Sequence, residues 1–339
     1  VNVTTPMLDV PARHDPIETA AAWLETTGTV ALARVVSTWG SSPVPVGGQL
    51  VVASDGRFEG SVSGGCVEVE VIAEAGAVIA EERPRLLEFG VDNESAWRAG
   101  LPCGGKIKVL VQPLLPSDQR YLKEILAAQR SRRSLSDLTN LKTGQRSAVE
   151  ANAAQDGDLG ALISEGESKI VVIDDEAWFL HVRVPPVRLV IVGATHITQA
   201  LSDLANRIGY DVVIVDPRPA FASSGRFGSA TVLEEWPETA CQACGLDNRT
   251  AVVALTHAAH LDDEALTAAL RADCLYVGAL GSKKTHAKRL NRLLAAGVED
   301  SALARIHGPV GLDIGAKGPD EIAISILAEI ISVSRRGRP

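Results

Sequence analysis

Two cysteines in the first third of the chain are each set against a pair of glycines. One lies in Ser61-Val62-Ser63-Gly64-Gly65-Cys66-Val67-Glu68, the other in Leu101-Pro102-Cys103-Gly104-Gly105-Lys106. A Gly-Gly pair lets the backbone take positive φ and come close to a ligand. With a helix starting at Cys66, its thiol would stand where the macrodipole and unbonded N–H groups favour the thiolate, the form that binds soft metals and attacks electrophiles. Brought together, the two loops would make a soft-ligand, anion-friendly pocket. A free cysteine is as often a small buried apolar residue, so either loop alone leaves both readings open. Their pairing favours function.

A second set of residues points to nucleotide chemistry. A strand over 188–192, then Gly193, a helix from His196 and a strand over 211–215 ending at Asp216 make the skeleton of a dinucleotide-binding βαβ unit, with Asp216 near the spacing of a ribose-binding acid. The three-glycine fingerprint reads Gly193-Ala194-Thr195-His196-Ile197-Thr198 here, so only its first glycine is present. Thr195 would stand where a pyrophosphate approaches, and Thr198 is expected to loosen the helix–strand contact. The fold tolerates both, but NAD(P) binding in the ordinary pose is expected to be weak. Gly278-Ala279-Leu280-Gly281-Ser282-Lys283-Lys284 suggests an anion site. Ser282 can cap a helix whose first-turn lysines oppose the macrodipole unless a phosphate sits there; the alternatives are a solvated basic face with Lys288, Arg289 and Arg292, or a phosphate beside Gly193 and His196. His257 ends a strand at the edge where α/β sheets bind ligands, with His260 three residues on. Cys241-Gln242-Ala243-Cys244 has the spacing of half a zinc site or a redox pair, but no second Cys/His pair follows it.

The elements that must hold these residues fall into two textures. Asp15, Pro16 and Glu18 read as a helix start and Gly28 as its end. Strands are expected over 29–37, 49–53, 85–89 and 106–111, a stiff glycine- and proline-punctuated loop over 39–48, and helices over 67–82 and 118–130. The stretch 131–167 carries little signal. A hairpin over 169–184 turns at Asp174-Asp175, and Pro185-Pro186 marks a boundary because proline continues neither a ladder nor a helix. Beyond it strands and helices alternate, as in a parallel α/β sheet. The helix from His196 is expected to bury Ile197, Ala200, Leu201, Leu204, Ala205 and Ile208. Two domains follow, 1–184, in which 118–167 is a weakly defined connecting part, and 185–339.

A chain of 339 residues exceeds what one core normally supports. A hydrophobic content of 46% is ample for packed cores, while the apolar runs are strand-length and too short to span a membrane. The first residues have neither the basic nor the apolar region of a secretory signal, and five scattered cysteines fit a reducing cytoplasm. A net charge of −9 argues against nucleic acid and acidic membranes as partners.

Taken together, these motifs resemble the xanthine dehydrogenase accessory family, XdhC/CoxI, over nearly the whole chain. The resemblance rests on Gly64-Gly65-Cys66-Val67-Glu68, Cys103-Gly104-Gly105, Pro185-Pro186, Val215-Asp216-Pro217-Arg218, Leu255-Thr256-His257 and Val277 to Lys283. Its most specific part is Ile306-His307-Gly308-Pro309-Val310-Gly311-Leu312-Asp313-Ile314-Gly315-Ala316 running into Glu321 to Ile330. The resemblance implies an N-terminal mixed-sheet α/β domain of the XdhC/CoxI kind and a C-terminal Rossmann-like, doubly wound parallel-sheet domain. It also implies a cytoplasmic, non-catalytic maturation factor that binds the molybdenum cofactor (molybdopterin, nucleotide form open), protects it during sulfuration by a cysteine desulfurase, and helps insert it into an apo molybdenum hydroxylase. Assembly as a homodimer stays open. On this reading Cys66 and Cys103 stand near the molybdenum, and Gly64, Gly65, Gly104, Gly105, Gly193, His196, Asp216, His257, Gly281, Ser282 and Lys283 complete the cofactor site. Two other classes stay in play: an NAD(P)-dependent oxidoreductase using Gly193 and Asp216, and a scaffold that recruits the hydroxylase without holding cofactor.

Overall fold

The computed structural model describes residues 15–40, 42–90, 105–149 and 158–336. They form two units, one through Pro185 and one from Pro186. Among the described residues no helix is long and apolar enough to cross a membrane.

In the first unit the Asp15 carboxylate accepts the Ile17 N–H at 2.8 Å and so caps the helix Pro16–Thr27, which Gly28 ends at φ +77°. Strands β1 (Val30–Trp39), β2 (Gln49–Ala53), β3 (Phe58–Gly60), β4 (Arg85–Phe89) and β5 (Lys106–Leu114) form a sheet in the order β3-β2-β1-β5-β4. All its pairings are antiparallel, so the sheet is not the mixed one expected. Strand β1 is apolar on both sides over its first four residues, Val30 to Ala33, because both faces are covered. Ala31, Ala33 and Val35 meet Val67, Val71, Ala75 and Val78 of the helix Cys66–Glu81. Val30 and Leu32 meet Ile17, Leu24, Leu122 and Ile125 of the helices Pro16–Thr27 and Gln119–Arg130.

The described parts of the stretch with little sequence signal carry regular structure. Strands β6 (Leu135–Asn140), β7 (Arg146–Val149), β8 (Lys169–Ile173) and β9 (Glu176–Arg183) form a second antiparallel sheet in the order β7-β6-β9-β8, and the helix Asp158–Glu165 precedes β8. A cluster of three charges, Arg34, Asp137 and Arg183, ties the sheets together in the interior. Arg34 of β1 is fully buried and donates from Nη1 to Asp137 at 2.8 Å and from Nη2 to Thr139 at 2.7 Å; Arg183 Nε donates to the other Asp137 oxygen at 3.1 Å. Burial pushes the Asp137 carboxyl up, but Arg34 and Arg183 outweigh it and hold the group well below the usual range.

In the second unit β10 (Arg188–Val192), β11 (Asp211–Val215), β12 (Thr231–Leu233), β13 (Thr250–Ala254), β14 (Tyr276–Ala279) and β15 (Ile306–His307) form a parallel sheet in the order β12-β11-β10-β13-β14-β15. The chain winds outward from β10 and then returns to β13 on its other side, so the order reverses between these two strands; ligands of open α/β sheets bind at the carboxyl edge of such a switch point. Leu189 and Ile191 face the helices His196–Arg207 and Gly318–Arg336, while Val190 and Val192 face Ala259–Arg271 and Lys283–Ala295. The helical face expected from periodicity holds at Leu201 and Ala205, which are buried, but Ile208 is 41% exposed because it lies beyond the last helical turn.

Candidate functional site

In the first unit the turn between β3 and the helix Cys66–Glu81 is wound around one carboxylate. Glu68 Oε1 accepts from Ser61 Oγ at 2.8 Å, Val62 N at 3.2 Å and Ser63 N at 2.7 Å; Oε2 accepts from Gly65 N at 2.7 Å. Burial raises the Glu68 carboxyl, yet the donors from Ser61, Gly65 and Ser63 more than offset it and hold the group below its ordinary value. Val62 and Val67, both fully buried, peg the turn to the core on either side. Gly64 and Gly65 are left exposed. Gly65 sits at φ +115°, where a side chain would be strained but would meet no atom within 4 Å, so the turn presents open backbone. Cys66 is the first residue of the 16-residue helix that follows. Glu68 carried no role in the sequence reading, although its place three residues after the cap at Gly65 is a capping-box spacing that could have marked it. Gly105 leads into β5 and is buried. Cys103 and Gly104 lie outside the described residues.

The second unit carries the remaining candidates at the carboxyl edge of its sheet. Gly193, at φ +108°, lies so close to β13 that a Cβ would come within 2.9 Å of Thr256 N and Cγ2. Its lack of a side chain is therefore needed by the packing of two strand ends. Thr195 caps the next helix by accepting the Thr198 N–H. Thr198 does not loosen the helix–strand contact as expected: it is fully buried and its hydroxyl donates to the Gly193 carbonyl. His196 and His257 are exposed, the latter at φ +61°.

Asp216 is fully buried and both its oxygens are taken. Oδ2 accepts from Ala194 N at 2.9 Å and Arg218 Nη2 at 2.7 Å; Oδ1 accepts from Arg218 Nε at 2.8 Å and Arg218 N at 3.0 Å. Burial raises this carboxyl, but the Arg218 fork and the Ala194 N–H outweigh it and hold it low. A ribose hydroxyl seeking Asp216 would have to displace Arg218.

At the next strand end Ser282 accepts the Thr285 N–H at 3.1 Å and opens the helix Lys283–Ala295, with Gly281 at φ +144° and Lys283 exposed. Arg289 does not join a solvated basic face. It is 2% exposed and donates from Nη2 to Leu280 O at 2.8 Å and to Asp262 at 3.4 Å. A further carboxylate holds the next loop: Glu329 accepts from Tyr276 Oη at 2.5 Å and Gly311 N at 2.8 Å, and lies 3.0 Å from His307 Nδ1.

The Cys241–Cys244 pair sits in the last turn of the helix Pro237–Cys244. Burial, together with the neighbouring thiol, pushes Cys241 up to about 12, which disfavours the thiolate that metal binding needs. Among the described residues no group of three or more His, Cys, Asp or Glu side chains could hold a metal ion.

Comparison with known proteins places this architecture. Residues 189–330 match the model of the XdhC Rossmann domain and residues 23–90 that of the XdhC and CoxI family. The chain is 31% identical over 309 residues to the molybdenum cofactor insertion chaperone PaoD of Escherichia coli, covering 89% of this chain and 82% of that protein. It is 27% identical over 324 residues to a probable xanthine dehydrogenase subunit of Bacillus subtilis, covering 93% of this chain and 96% of that protein. Among solved structures, a xanthine dehydrogenase from Bacillus halodurans superposes with a TM-score of 0.77 at 26% identity, covering 96% of this chain and 97% of that one.

Proposed function

Because the chain belongs to the XdhC and CoxI family, we propose that it is a maturation factor for molybdenum hydroxylases that binds the molybdenum cofactor as cargo and helps insert it into the apo-enzyme. The observation that carries this reading is the turn locked by Glu68, which holds two exposed glycines beside a cysteine at the head of a long helix. Such a site suits a flat anionic ligand: open backbone admits its edge, and a thiolate at Cys66, with Cys103, suits molybdenum–sulfur chemistry. Gly64, Gly65, Gly104 and Gly105 complete that side. In the second unit the proposed contacts are Gly193, His196, His257, Gly281, Ser282 and Lys283. Asp216 enters through Arg218, whose charge it orients.

The finer steps belong to the same proposal. The protein shields the cofactor while a cysteine desulfurase installs the sulfido ligand, works in the cytoplasm, and divides functionally at Pro185-Pro186. Nicotinamide is not the proposed ligand, because the acid that would bind its ribose is engaged on both oxygens. The test is the molybdenum and pterin content of protein purified without oxygen from a molybdate-supplied host. Wild type is expected to carry both, and Cys66→Ala and Cys103→Ala to carry less while keeping their circular dichroism. Wild-type pterin in both variants would end the thiol assignment, and pterin-free wild type would end the cargo reading.

A further inference from the structure

Among the described residues of the second unit, buried side-chain nitrogens without a partner occur at two residues, His286 (Nδ1) and Arg289 (Nε and Nη1). They lie one turn apart on the helix opened by Ser282, and their proximity shows in His286, whose ring is held below its ordinary value by burial and by the Arg289 charge. Arg289 reaches back along its helix to Leu280 O, so its guanidinium underlies the turn 280–282. Asp262 compensates it only in part, because one Asp262 oxygen is engaged by Thr256 Oγ at 2.6 Å and Thr256 N, and the other stands 3.4 Å from Arg289 Nη2. A buried guanidinium with two idle nitrogens is destabilising until an acceptor reaches it.

We propose that the turn 280–282 is a phosphate receptor in which Arg289 is the fixed donor and His286 joins it in the tautomer protonated at Nδ1, with the N-terminus of the helix Lys283–Ala295 adding its N–H groups. This rests on the reading above in one respect, that the phosphate belongs to the pterin cargo. The arrangement differs from a surface lysine site because the cation is desolvated and already oriented, which strengthens each hydrogen bond to an oxyanion. As Arg289 is 2% exposed, a phosphate reaches it only by displacing the turn. Gly281, where a Cβ would press on Thr285 at 3.2 Å, leaves the turn free of the side chain that would block such a shift.

The experiment uses the full chain. Inorganic phosphate and pyrophosphate are titrated at constant ionic strength against a chloride control, followed by calorimetry and by nitrogen-15 resonances of Arg289 Nε and the amides of residues 280–285. Saturable shifts at Arg289 Nε and these amides are expected. Tighter binding of pyrophosphate would assign a dinucleotide form and equal binding a monoester end. Because Arg289→Met alone strands a buried carboxylate, the variant is Arg289→Met with Asp262→Asn, expected to lose about tenfold or more in phosphate affinity, and His286→Phe a smaller part of it. Shifts no larger than those of chloride, or equal affinity in the double variant, overturn the proposal and leave the cargo reading intact. Saturable phosphate binding in a protein that never carries pterin keeps the receptor and removes the cargo reading.

Discussion

Replacing Glu68 with glutamine tests whether one carboxylate shapes the cysteine turn. The amide is isosteric, and its oxygen can still accept from Ser61, Val62 and Ser63. Its NH2 group then faces the Gly65 N–H, donor against donor, at the 2.7 Å separation now held by a charge-assisted hydrogen bond. One such bond contributes about 1.5–3 kcal/mol, and the turn is partly open to water, so Glu68→Gln should destabilise the first unit by about 2 kcal/mol. The pH dependence has a definite sign. The folded Glu68 carboxyl lies below its ordinary value of 4.5, so its contribution is complete above pH 4.5 and is lost as pH falls through the folded value. The gap between wild type and variant should therefore be widest near neutrality and close in acid. Hydrogen exchange at Ser63 and Gly65, read beside the denaturant midpoint of the first unit, provides the assay. Protection at these two amides should fall in the variant, and cofactor retention with it. Unchanged protection and midpoint at pH 7 would refute the view that Glu68 organises the turn.

Three further outcomes follow from the geometry. Arg34→Met leaves Asp137 buried with Arg183 as its remaining close guanidinium and should cost about 3–5 kcal/mol, whereas Arg34→Met with Asp137→Leu should recover part of the loss; chemical denaturation of both variants checks this. Cys241, buried and raised to about 12, should resist a thiol reagent at pH 8 in the native protein and react once denaturant is added, and fast native labelling would contradict its placement. NAD(H) and NADP(H) should bind no tighter than about millimolar, roughly 4 kcal/mol, since a ribose must compete with Arg218 for Asp216. Micromolar binding by calorimetry would return the oxidoreductase reading to favour.

What could be read from sequence and what could not divide along physical lines. Where local rules act alone, reading and structure coincide: β2, β4, β8 and the turn at Asp174-Asp175 were legible from alternation and turn residues, as were the Asp15 and Ser282 caps. The α/β alternation after Pro186 likewise announced its parallel sheet, since helices covering both faces leave short apolar strands. Strand β6 was invisible because four of its five buried positions are polar, Ser136, Asp137, Thr139 and Asn140 beside Leu138, an inversion of the apolar pattern on which periodicity depends. Asp137, Thr139 and Asn140 can be buried there because Arg34, Arg183 and Glu176 arrive from other strands to meet them. The candidate site repeats this lesson. Glycines, cysteines and Asp216 could be picked out by type and spacing, which are properties of the chain. That Asp216 is spent on Arg218, that Glu68 is wrapped in backbone donors, and that Arg289 is buried beside Asp262 depend on which groups meet in space. A charge placed in a low-dielectric interior is defined by its partners, and partners distant in sequence are chosen only by the tertiary fold.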